Sequence, residues 1–244
     1  MRKIALFSHK GGVGKSTISV QLSDGLAREG NKVLLLDLDA QRQCAMYLGV
    51  KSEIEYTFYD LIDDRYPKPL TDCVFPAREN LDLMSNENYE SIEKDIIKYP
   101  RVDFFLEDYL EDIEKLDYDY LIVDCSPTPS AVNNAVLYYV DELIVPILLE
   151  GGSVQGISDL HDKLNMLRLQ TSMIKLIVPN KFDKRTNMHK EYLGKLKEYF
   201  PNKLIDPIYS RIKISEATSK GKTVYEYGQE KHFNHLIRRV KTNE

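Results

Sequence analysis

The sequence predicts an α/β fold: a doubly wound, mostly parallel sheet with helices on both faces. Three observations support this prediction: short apolar runs recur along the chain, helical patterns separate them, and a glycine-rich loop follows the first run. Parallel strands that are covered on both faces appear as continuous apolar runs rather than as alternating patterns. Strands that alternate with helices from end to end are typical of βαβ units, whose crossover helices pack against the sheet.

The predicted elements follow one another along the whole chain. Strands are expected at residues 4–7, 33–36, 121–123, 143–147 and 176–178, with 81–84 and the weaker pair 204–205 as further candidates. A helix that opens near Lys15 covers residues 17–29 and ends at Gly30-Asn31, residue types that terminate helices. A second helix is expected over residues 153–169, where apolar side chains share one face. Because the chain contains no repeat or flexible linker, we expect one domain over residues 1–244.

Composition indicates an ordinary soluble protein with an ample core. Hydrophobic residues make up 43% of the 244 residues and charged residues 29%. The longest apolar stretch, residues 143–149, is interrupted by Pro146 and is too short to span a bilayer. The first residues carry no cleavable signal pattern, and the three cysteines have no C-x-x-C spacing. These features favour a cytoplasmic protein with reduced thiols.

The charge of the chain is unevenly distributed. Residues 161–244 contain 18 Lys and Arg against 9 Asp and Glu, although the whole chain has a net charge of −5. A basic third on an acidic protein suggests one face that meets polyanions, but basic residues that simply decorate exposed helices remain an alternative. Any DNA binding is therefore expected to be local and strongly dependent on salt.

A phosphate-binding loop is the strongest motif of the sequence. Residues 10–17 read Lys-Gly-Gly-Val-Gly-Lys-Ser-Thr directly after the first apolar run. Glycines let backbone N–H groups close around phosphate oxygens, and the helix N-terminus adds unpaired donors and partial positive charge. Lys15 can then reach the β- and γ-phosphates, and the Ser16 hydroxyl can bind Mg²⁺. The motif predicts a nucleoside triphosphate bound by Gly11, Gly12, Val13, Gly14, Lys15, Ser16 and Thr17.

Carboxylates follow two of the predicted strands, at the edge of the sheet where such a ligand would bind. Four apolar residues lead into Asp124, which predicts a carboxylate that holds Mg²⁺ directly or through a water. Asp37 and Asp39 are separated by one residue at the end of the strand, and we expect them to have different roles. For Asp37, capping of a following helix is an alternative to metal binding.

The loop pattern K-G-G-x-G-K-[ST] resembles that of the ParA/MinD-type P-loop ATPases, the deviant Walker A group, and especially of ParA/Soj partition ATPases. His9 stands where a strict G-x-x-x-x-G-K-[ST] loop has glycine, and Lys10 supplies the family's second lysine. The resemblance implies a catalytic set of Lys10, Lys15 and Asp39, in which Lys10 reaches the nucleotide of a facing subunit and Asp39 orients the attacking water. It also implies that Asp37 belongs to the Mg²⁺ shell with Ser16 and Asp124. Ala40 replaces the proline of the family's D-x-D-P-Q pattern.

The resemblance extends toward the C-terminus. Residues 180–187 resemble the family's D-x-R-T-N stretch, and residues 212–222 resemble its R-L-S-E-A-P-S-x-G-K segment. By resemblance, Asn180 lies near the base. The likeness also implies DNA contacts by Lys184, Arg185 and Lys213. Arg211 stands where the family has the asparagine that contacts adenine, so this contact is not expected in its usual form.

The predicted function is that of a nucleoid-associated partition ATPase that uses ATP and Mg²⁺. It would form a homodimer in the ATP state, bind nonspecific DNA, and be stimulated by a centromere-binding, ParB-like protein. The alternative is a MinD-like positioning ATPase that acts on a membrane or a protein cargo. In that alternative the final helix, which has Phe233, Leu236, Ile237 and Val240 on one face, would lie on the membrane. Packing of this helix against the sheet is the simpler interpretation, and a membrane partner is not expected.

Three further enzyme classes fit the sequence less well. A biosynthetic P-loop enzyme would leave Lys10 without a task. A bacterial tyrosine kinase would need a terminal tyrosine cluster, and the tail carries only Tyr225 and Tyr227. An electron-carrying iron protein would need paired cluster cysteines. Residues 51–115 carry several prolines and acidic clusters, and we expect short helices and loops there, over the nucleotide edge of the sheet.

Overall fold

The computed structural model describes residues 1–51 and 53–242. Over these residues, seven strands form one sheet in the order β3-β4-β2-β5-β1-β6-β7. Neighbouring strands run parallel, except for the antiparallel pair β3–β4 at one edge. The strands are β1 (Arg2–Leu6), β2 (Val33–Leu38), β3 (Phe75–Arg78), β4 (Leu81–Met84), β5 (Tyr120–Cys125), β6 (Glu142–Leu148) and β7 (Ile174–Asn180).

Helices connect the parallel strands and cover both faces of the sheet. The helices are α1 (Lys15–Arg28), α2 (Gln43–Tyr47), α3 (Phe58–Ile62), α4 (Tyr89–Lys98), α5 (Phe105–Tyr109), α6 (Ala131–Tyr139), α7 (Ser153–Met166), α8 (Asn187–Tyr199), α9 (Ile212–Ser219) and α10 (Asn234–Thr242). Short 3₁₀ helices lie at Leu70–Cys73, Val102–Phe104, Glu111–Leu116, Thr171–Met173 and Glu230–His232.

Two hydrophobic cores lie on opposite faces of the sheet, and successive strand residues belong to different cores. In β1, Ile4 packs in one core and Ala5 in the other. Leu34 and Leu35 of β2 divide in the same way. Because successive side chains of a strand point to opposite faces, a strand that is apolar throughout requires helices on both sides. The predicted doubly wound, mostly parallel sheet is confirmed.

The boundaries of the first predicted helix agree with the structure, and the second helix is shorter than predicted. α1 ends at Arg28, and the side-chain amide of Asn31 donates to the Leu26 carbonyl at 2.8 Å, which satisfies one of the last carbonyls of the helix. The helix predicted over residues 153–169 ends at Met166. Residues 51–115 contain short helices as predicted, together with the β3–β4 hairpin, of which only the second strand was predicted.

The strand predicted at residues 204–205 is wrong. Leu204 forms only an isolated bridge to Ile177 of β7. The amide of Ile205 donates to the Ile177 carbonyl, but Pro207 has no N–H and cannot continue the ladder. The segment therefore runs beside β7 without becoming an eighth strand.

The last helix packs its apolar face into the core. Leu236, Ile237 and Val240 are buried in the same core as α1 and one face of β1, and so is Phe233 just before the helix. This burial agrees with the simpler of the two interpretations of the helix and leaves the membrane-binding one without an exposed apolar face. Within the described residues, no helix combines the length and the hydrophobicity that crossing a membrane would require.

Candidate functional site

A cavity of about 700 Å³ opens at the carboxyl ends of the central strands. Its floor is the loop between β1 and α1, one wall is α2 with the turn before it, and another wall is α9 with the segment before it. In parallel α/β sheets, ligands bind at this edge, where neighbouring strands send their connections to opposite faces. The volume lies in the range of small-molecule sites.

The loop is shaped by a glycine that accepts no side chain. Gly14 has φ +94°, and a Cβ there would lie 2.3 Å from Nδ2 of Asn180. Val13, which is 1% exposed, anchors the loop in the core, and the Ile18 amide donates to the Gly14 carbonyl to begin the hydrogen bonding of α1. The first N–H groups of α1 are thus delivered to the cavity floor, where an anion can accept from them.

Lys15 is the buried cation of the cavity. Its side chain lines the floor, and the residue is 5% exposed. Burial lowers the pKa of Lys15, and the charges of Asp124 and Asp39 oppose this shift. A desolvated ammonium group gains most from an anionic ligand at short range, because little water competes with that ligand. The site therefore fits a phosphate chain.

Two carboxylates meet behind the floor. Asp37 of β2 and Asp124 of β5 are directly paired in register, and both are fully buried. Asp124 accepts from the Ser19 hydroxyl at 2.8 Å, and the nearby Ser16 hydroxyl helps to lower its pKa. Burial raises the pKa of both acids, and a neighbouring carboxylate adds to each shift, Asp124 for Asp37 and Asp39 for Asp124. Two desolvated carboxylates beside a serine hydroxyl form a set of hard oxygen donors, which fits Mg²⁺.

Asp39 has a different position from Asp37, because β2 ends at Leu38 and the chain turns after it. Asp39 lines the cavity, and its Oδ1 accepts from the amide of Gln41 at 3.0 Å. Asp37 instead accepts from the amides of Asp39 and Cys44, each at 3.0 Å. The contact with Cys44 lies in the first turn of α2, although the N-cap residue of that helix is Arg42 and not Asp37. Asp37 thus supports the start of the helix from beside the acid pair, and the separate roles of the two acids stay a prediction.

Two residues near these carboxylates were not recognised from the sequence. The side-chain amide of Asn86 donates to the carbonyls of Asp37 and Asp39, at 2.8 and 3.0 Å, and holds the turn between them. The thiol of Cys44 donates to Asp124 at 3.5 Å. Burial and the adjacent carboxylates raise the pKa of Cys44, so it acts as a hydrogen-bond donor. Both come from connections that carry no motif, and no local signal identifies them.

The second lysine of the loop lies apart from the cavity. Lys10 forms an ion pair with Glu150, just beyond the end of β6, and its side chain is 53% exposed. Sequence reasoning identified Lys10 but not Glu150. The structure describes a single chain, so the role of Lys10 toward a facing subunit stays a prediction.

The part of the cavity lined by Asn180, residues 208–211 and α9, where the sequence predicts the base, is called the base end and is assembled from several segments. Asn180 lines it, but its Nδ2 donates to the Val13 carbonyl at 2.7 Å and its Oδ1 accepts from the Lys181 amide. One Nδ2 hydrogen of this side chain thus holds the loop, and its predicted place near a base stays a prediction. Tyr209 and Arg211 line the cavity close by, with the Arg211 guanidinium 5.7 Å from the centre of the Tyr209 ring.

A second, basic cavity of about 820 Å³ adjoins the first. It brings together the three predicted DNA-contact residues, Lys184, Arg185 and Lys213. Arg185 is paired with Asp183 at 2.7 Å, and this pairing reduces the free charge of the group. The two cavities share residues 209–211 as a common wall, and Lys231 adds a further cation to the basic one.

Comparison with known proteins identifies the family. The family model described as an AAA domain matches residues 1–177. The sporulation initiation inhibitor protein Soj of Bacillus subtilis is 32% identical over 232 residues, which cover 92% of this chain and 90% of Soj. The chain belongs to the ParA/MinD-type P-loop ATPases. The chromosome partitioning protein ParA of Caulobacter vibrioides is 27% identical, over 93% of this chain and 87% of its own.

The fold of this family member also matches solved structures. A Cyanothece McdA variant in complex with ATP superimposes with a TM-score of 0.85 over 99% of this chain and 96% of that one, at 22% identity. This likeness establishes the shared fold. The predicted membership of the ParA/MinD-type ATPases, with resemblance to the ParA/Soj group, is therefore confirmed.

Proposed function

We propose that this ParA/Soj-family protein is a Mg²⁺-dependent ATPase that binds nonspecific DNA as an ATP-bound dimer and thereby partitions a plasmid or chromosome. The observation that carries the proposal is the shared wall between the two cavities. Tyr209, Ser210 and Arg211 border both the cavity above the phosphate loop and the basic cavity beside it. A ligand in one cavity is therefore positioned to influence the other.

The roles of the nucleotide-site residues follow from their positions. The loop from Gly11 to Thr17 would hold the phosphates of ATP through its amides and through Lys15. Ser16, Asp37 and Asp124 would hold Mg²⁺, which when bound neutralises charge on the phosphates. Asp39, at the cavity wall, would accept a hydrogen bond from the attacking water and aim it in line. The McdA complex with ATP, a fold neighbour, supports this choice of nucleotide.

Lys10 would complete the site of a second copy of the chain. Its ammonium lies outside its own cavity and is exposed enough to exchange Glu150 for the phosphates of a facing subunit. A cation donated in trans neutralises developing charge on the phosphates and can change the rate by about 10³–10⁵. Formation of the dimer would then depend on ATP, and hydrolysis stimulated by a ParB-like partner would end it.

Lys184, Arg185 and Lys213 would contact the phosphate backbone of DNA. These side chains, together with Arg211 and Lys231, supply a local excess of positive charge on an otherwise acidic chain. Such contacts are sequence-independent and weaken steeply as salt rises, because bound counterions are released from the DNA. The proposed location of the protein is accordingly the nucleoid.

Retention of duplex DNA in the presence of ATP tests the proposal. With ATP and Mg²⁺ at low salt we expect the wild-type chain to bind a random duplex, and with ADP we expect much weaker binding. Lys184→Ala combined with Lys213→Ala should reduce the slope of log K against log salt by about 2, because two phosphate contacts are lost. Lys197→Ala, on exposed α8, serves as the matched control. Absence of ATP-dependent DNA retention would remove the partition function and favour another surface.

The MinD-like alternative is separated by sedimentation with liposomes. The buried apolar face of α10 weighs against a membrane-bound state. ATP-dependent co-sedimentation with anionic vesicles, together with no retention of DNA, would favour the alternative. Binding to neither surface would point to a protein cargo.

A further inference from the structure

Two walls of the nucleotide cavity, α2 and α9, come together just beyond the C-terminal ends of these helices. α2 lines one wall through Tyr47, and α9 lines another wall through Thr218. Two residues beyond α2 the chain reaches Gly49, and two residues beyond α9 it reaches Gly221. These two glycines are in direct backbone contact.

The contact between the glycines leaves no room for a side chain. A Cβ on Gly49 would lie 2.4 Å from the Gly221 carbonyl oxygen, and a Cβ on Gly221 would lie 2.4 Å from Cα of Gly49. Both residues also have positive φ, +70° and +64°, which other residues adopt only with strain. The separation of the walls at this end is therefore set by two backbones at their closest approach.

Arg78, at the end of β3, bridges the two glycine-containing segments from outside the cavity. Its Nη2 donates to the carbonyls of Leu48 and Gly221, at 2.9 and 3.3 Å. Its Nη1 forms an ion pair with Glu226 at 2.8 Å, and the side chain is 18% exposed. One planar guanidinium group thus joins the end of α2, the end of α9 and the segment that follows α9.

The segment after α9 is tied in turn to the helix behind the phosphate loop. The amide of Val224 donates to Gln21 of α1 at 2.8 Å. The hydroxyl of Thr223 donates to Asp24 of α1, and the amide of Thr223 donates to Glu226 at 2.8 Å. Gln21 and Asp24 are both buried. The junction formed by Gly49, Gly221 and Arg78 is therefore linked to α1, behind the cavity floor, as well as to both walls.

We propose that Arg78 is a positioning residue for the nucleotide, which keeps α2 and α9 at the separation that the bound ligand requires. The inference rests on the proposed function in one respect, since it requires that the cavity binds ATP. Arg78 is not among the described residues that line the cavity. Its loss should therefore loosen the fit of the nucleotide more than it disturbs the phosphate loop and the carboxylates, which Asn180 and Asn86 hold independently of Arg78.

The test compares nucleotide affinity with turnover in the full chain. Arg78→Met keeps an extended side chain and removes every bond of the guanidinium group. We expect the Kd and KM for ATP to rise by about five- to tenfold, and kcat to stay within about twofold, because charged hydrogen bonds to the walls are lost while the reacting end is untouched. Arg78→Lys should recover part of the affinity, since one cation can still pair with Glu226.

Arg65→Met is the matched control. Arg65 has a side chain that is 78% exposed and pairs with Asp63 in a loop, so its removal should leave Kd, KM and kcat unchanged. Gly221→Ala approaches the same junction without altering charge, and it should also raise Kd because the added Cβ forces the walls apart. If Arg78→Met does not fold, Arg78→Lys and Glu226→Gln provide the comparison.

The outcomes separate the two proposals. A lower Tm for Arg78→Met with an unchanged Kd and KM would mean that Arg78 serves stability alone and would overturn the inference. A fall in kcat with an unchanged KM would also contradict it. If the wild-type chain fails to bind ATP in the same titration, the proposed function itself is overturned, and the positioning role with it.

Discussion

The proposed phosphate end of the cavity, at the loop between β1 and α1, and the proposed base end are built in different ways. The phosphate end comes from one continuous loop, residues 11–17, and from acids at the ends of neighbouring strands. The base end combines Asn180, residues 208–211 and α9, which are far from the loop in sequence. A surface built from one segment requires a fixed local pattern. A surface assembled from several segments can change one residue at a time. Arg211 is an example, because it stands where the family has an asparagine.

The two ends also differ in their electrostatics. At the phosphate end, Lys15 and Asp39 are 5% and 6% exposed, and Asp124 is fully buried. At the base end, Ser210 and Arg211 are exposed to solvent. Charged groups interact more strongly where water is excluded. Substitutions at the phosphate end should therefore have larger effects on the reaction than those at the base end, and the experiments that follow test this contrast.

The largest effect is expected for Lys15→Ala. Loss of the buried cation should lower ATP turnover by about 10²–10³-fold, because a preorganised donor to the phosphates disappears from a site with little water. Steady-state phosphate release measures the change. Lys197→Ala, exposed on α8, is the control and should behave as wild type. Turnover close to that of the wild type would show that the floor of this cavity is not the reacting site.

Asp39→Ala should lower turnover by about 10²-fold and leave ATP binding nearly intact. The acid is expected to aim a water rather than to hold the nucleotide, so kcat falls while Kd stays within about threefold. Size-exclusion profiles with ATP and with ADP should then show a persistent dimer with ATP. Asp72→Ala, which replaces an exposed acid, provides the control. A large loss of ATP affinity would instead place Asp39 among the binding groups.

A smaller effect is expected at the base end, from Arg211→Ala. A guanidinium group can donate to both O6 and N7 of guanine, whereas adenine offers an amino group in place of O6. We therefore expect the variant to weaken GTP binding more than ATP binding, by about three- to tenfold, a loss of one charged hydrogen bond or less. The preference for ATP over ADP should stay unchanged. Competition titrations with the three nucleotides measure both ratios, and a change in the ATP-to-ADP ratio would contradict the division of the cavity into two ends.

The smallest effect concerns the stability of the protein without nucleotide. In the folded state the pKa of Asp37 is raised to about 7 and that of Asp124 to about 6, so above about pH 4 the fold binds more protons than the unfolded chain. The pair therefore lowers stability increasingly from acidic to neutral pH. Asp124→Asn removes one buried charge and should raise Tm at pH 8 by about 2–4 °C, or about 1 kcal/mol. Thermal unfolding at several pH values measures the gain, which should shrink toward acidic pH. A gain independent of pH would implicate packing instead.

Much of the fold could be predicted because its strands are buried on both faces. Continuous apolar sequences identify β2 and β5 without any knowledge of their neighbours. β3 was missed because its four residues contain Pro76 and are only partly buried. Residues 204–205 have the apolar composition of a strand. However, Pro207 lacks the N–H that would extend the hydrogen bonding with β7, and the composition of these two residues does not show this.

The candidate site divides in the same way. Lys15, Asp39 and Asp124 could be located because each lies in a recognisable local pattern at or after the end of a strand. Asn86, Glu150 and Arg78 could not, because their partners lie far away in sequence, in segments with no motif that points to them. Only the folded chain brings these groups together. Their positions depend on tertiary packing, which a single sequence does not display.

The ion pair between Lys10 and Glu150 has a consequence for assembly. A second chain that recruits Lys10 must first break the pair with Glu150, so part of the electrostatic gain from the phosphates is offset. Association between two chains should consequently respond only mildly to ionic strength. Adsorption to a polyanion through the basic cavity should respond steeply. Raising the salt concentration should thus release the protein from DNA while the proposed dimers stay associated.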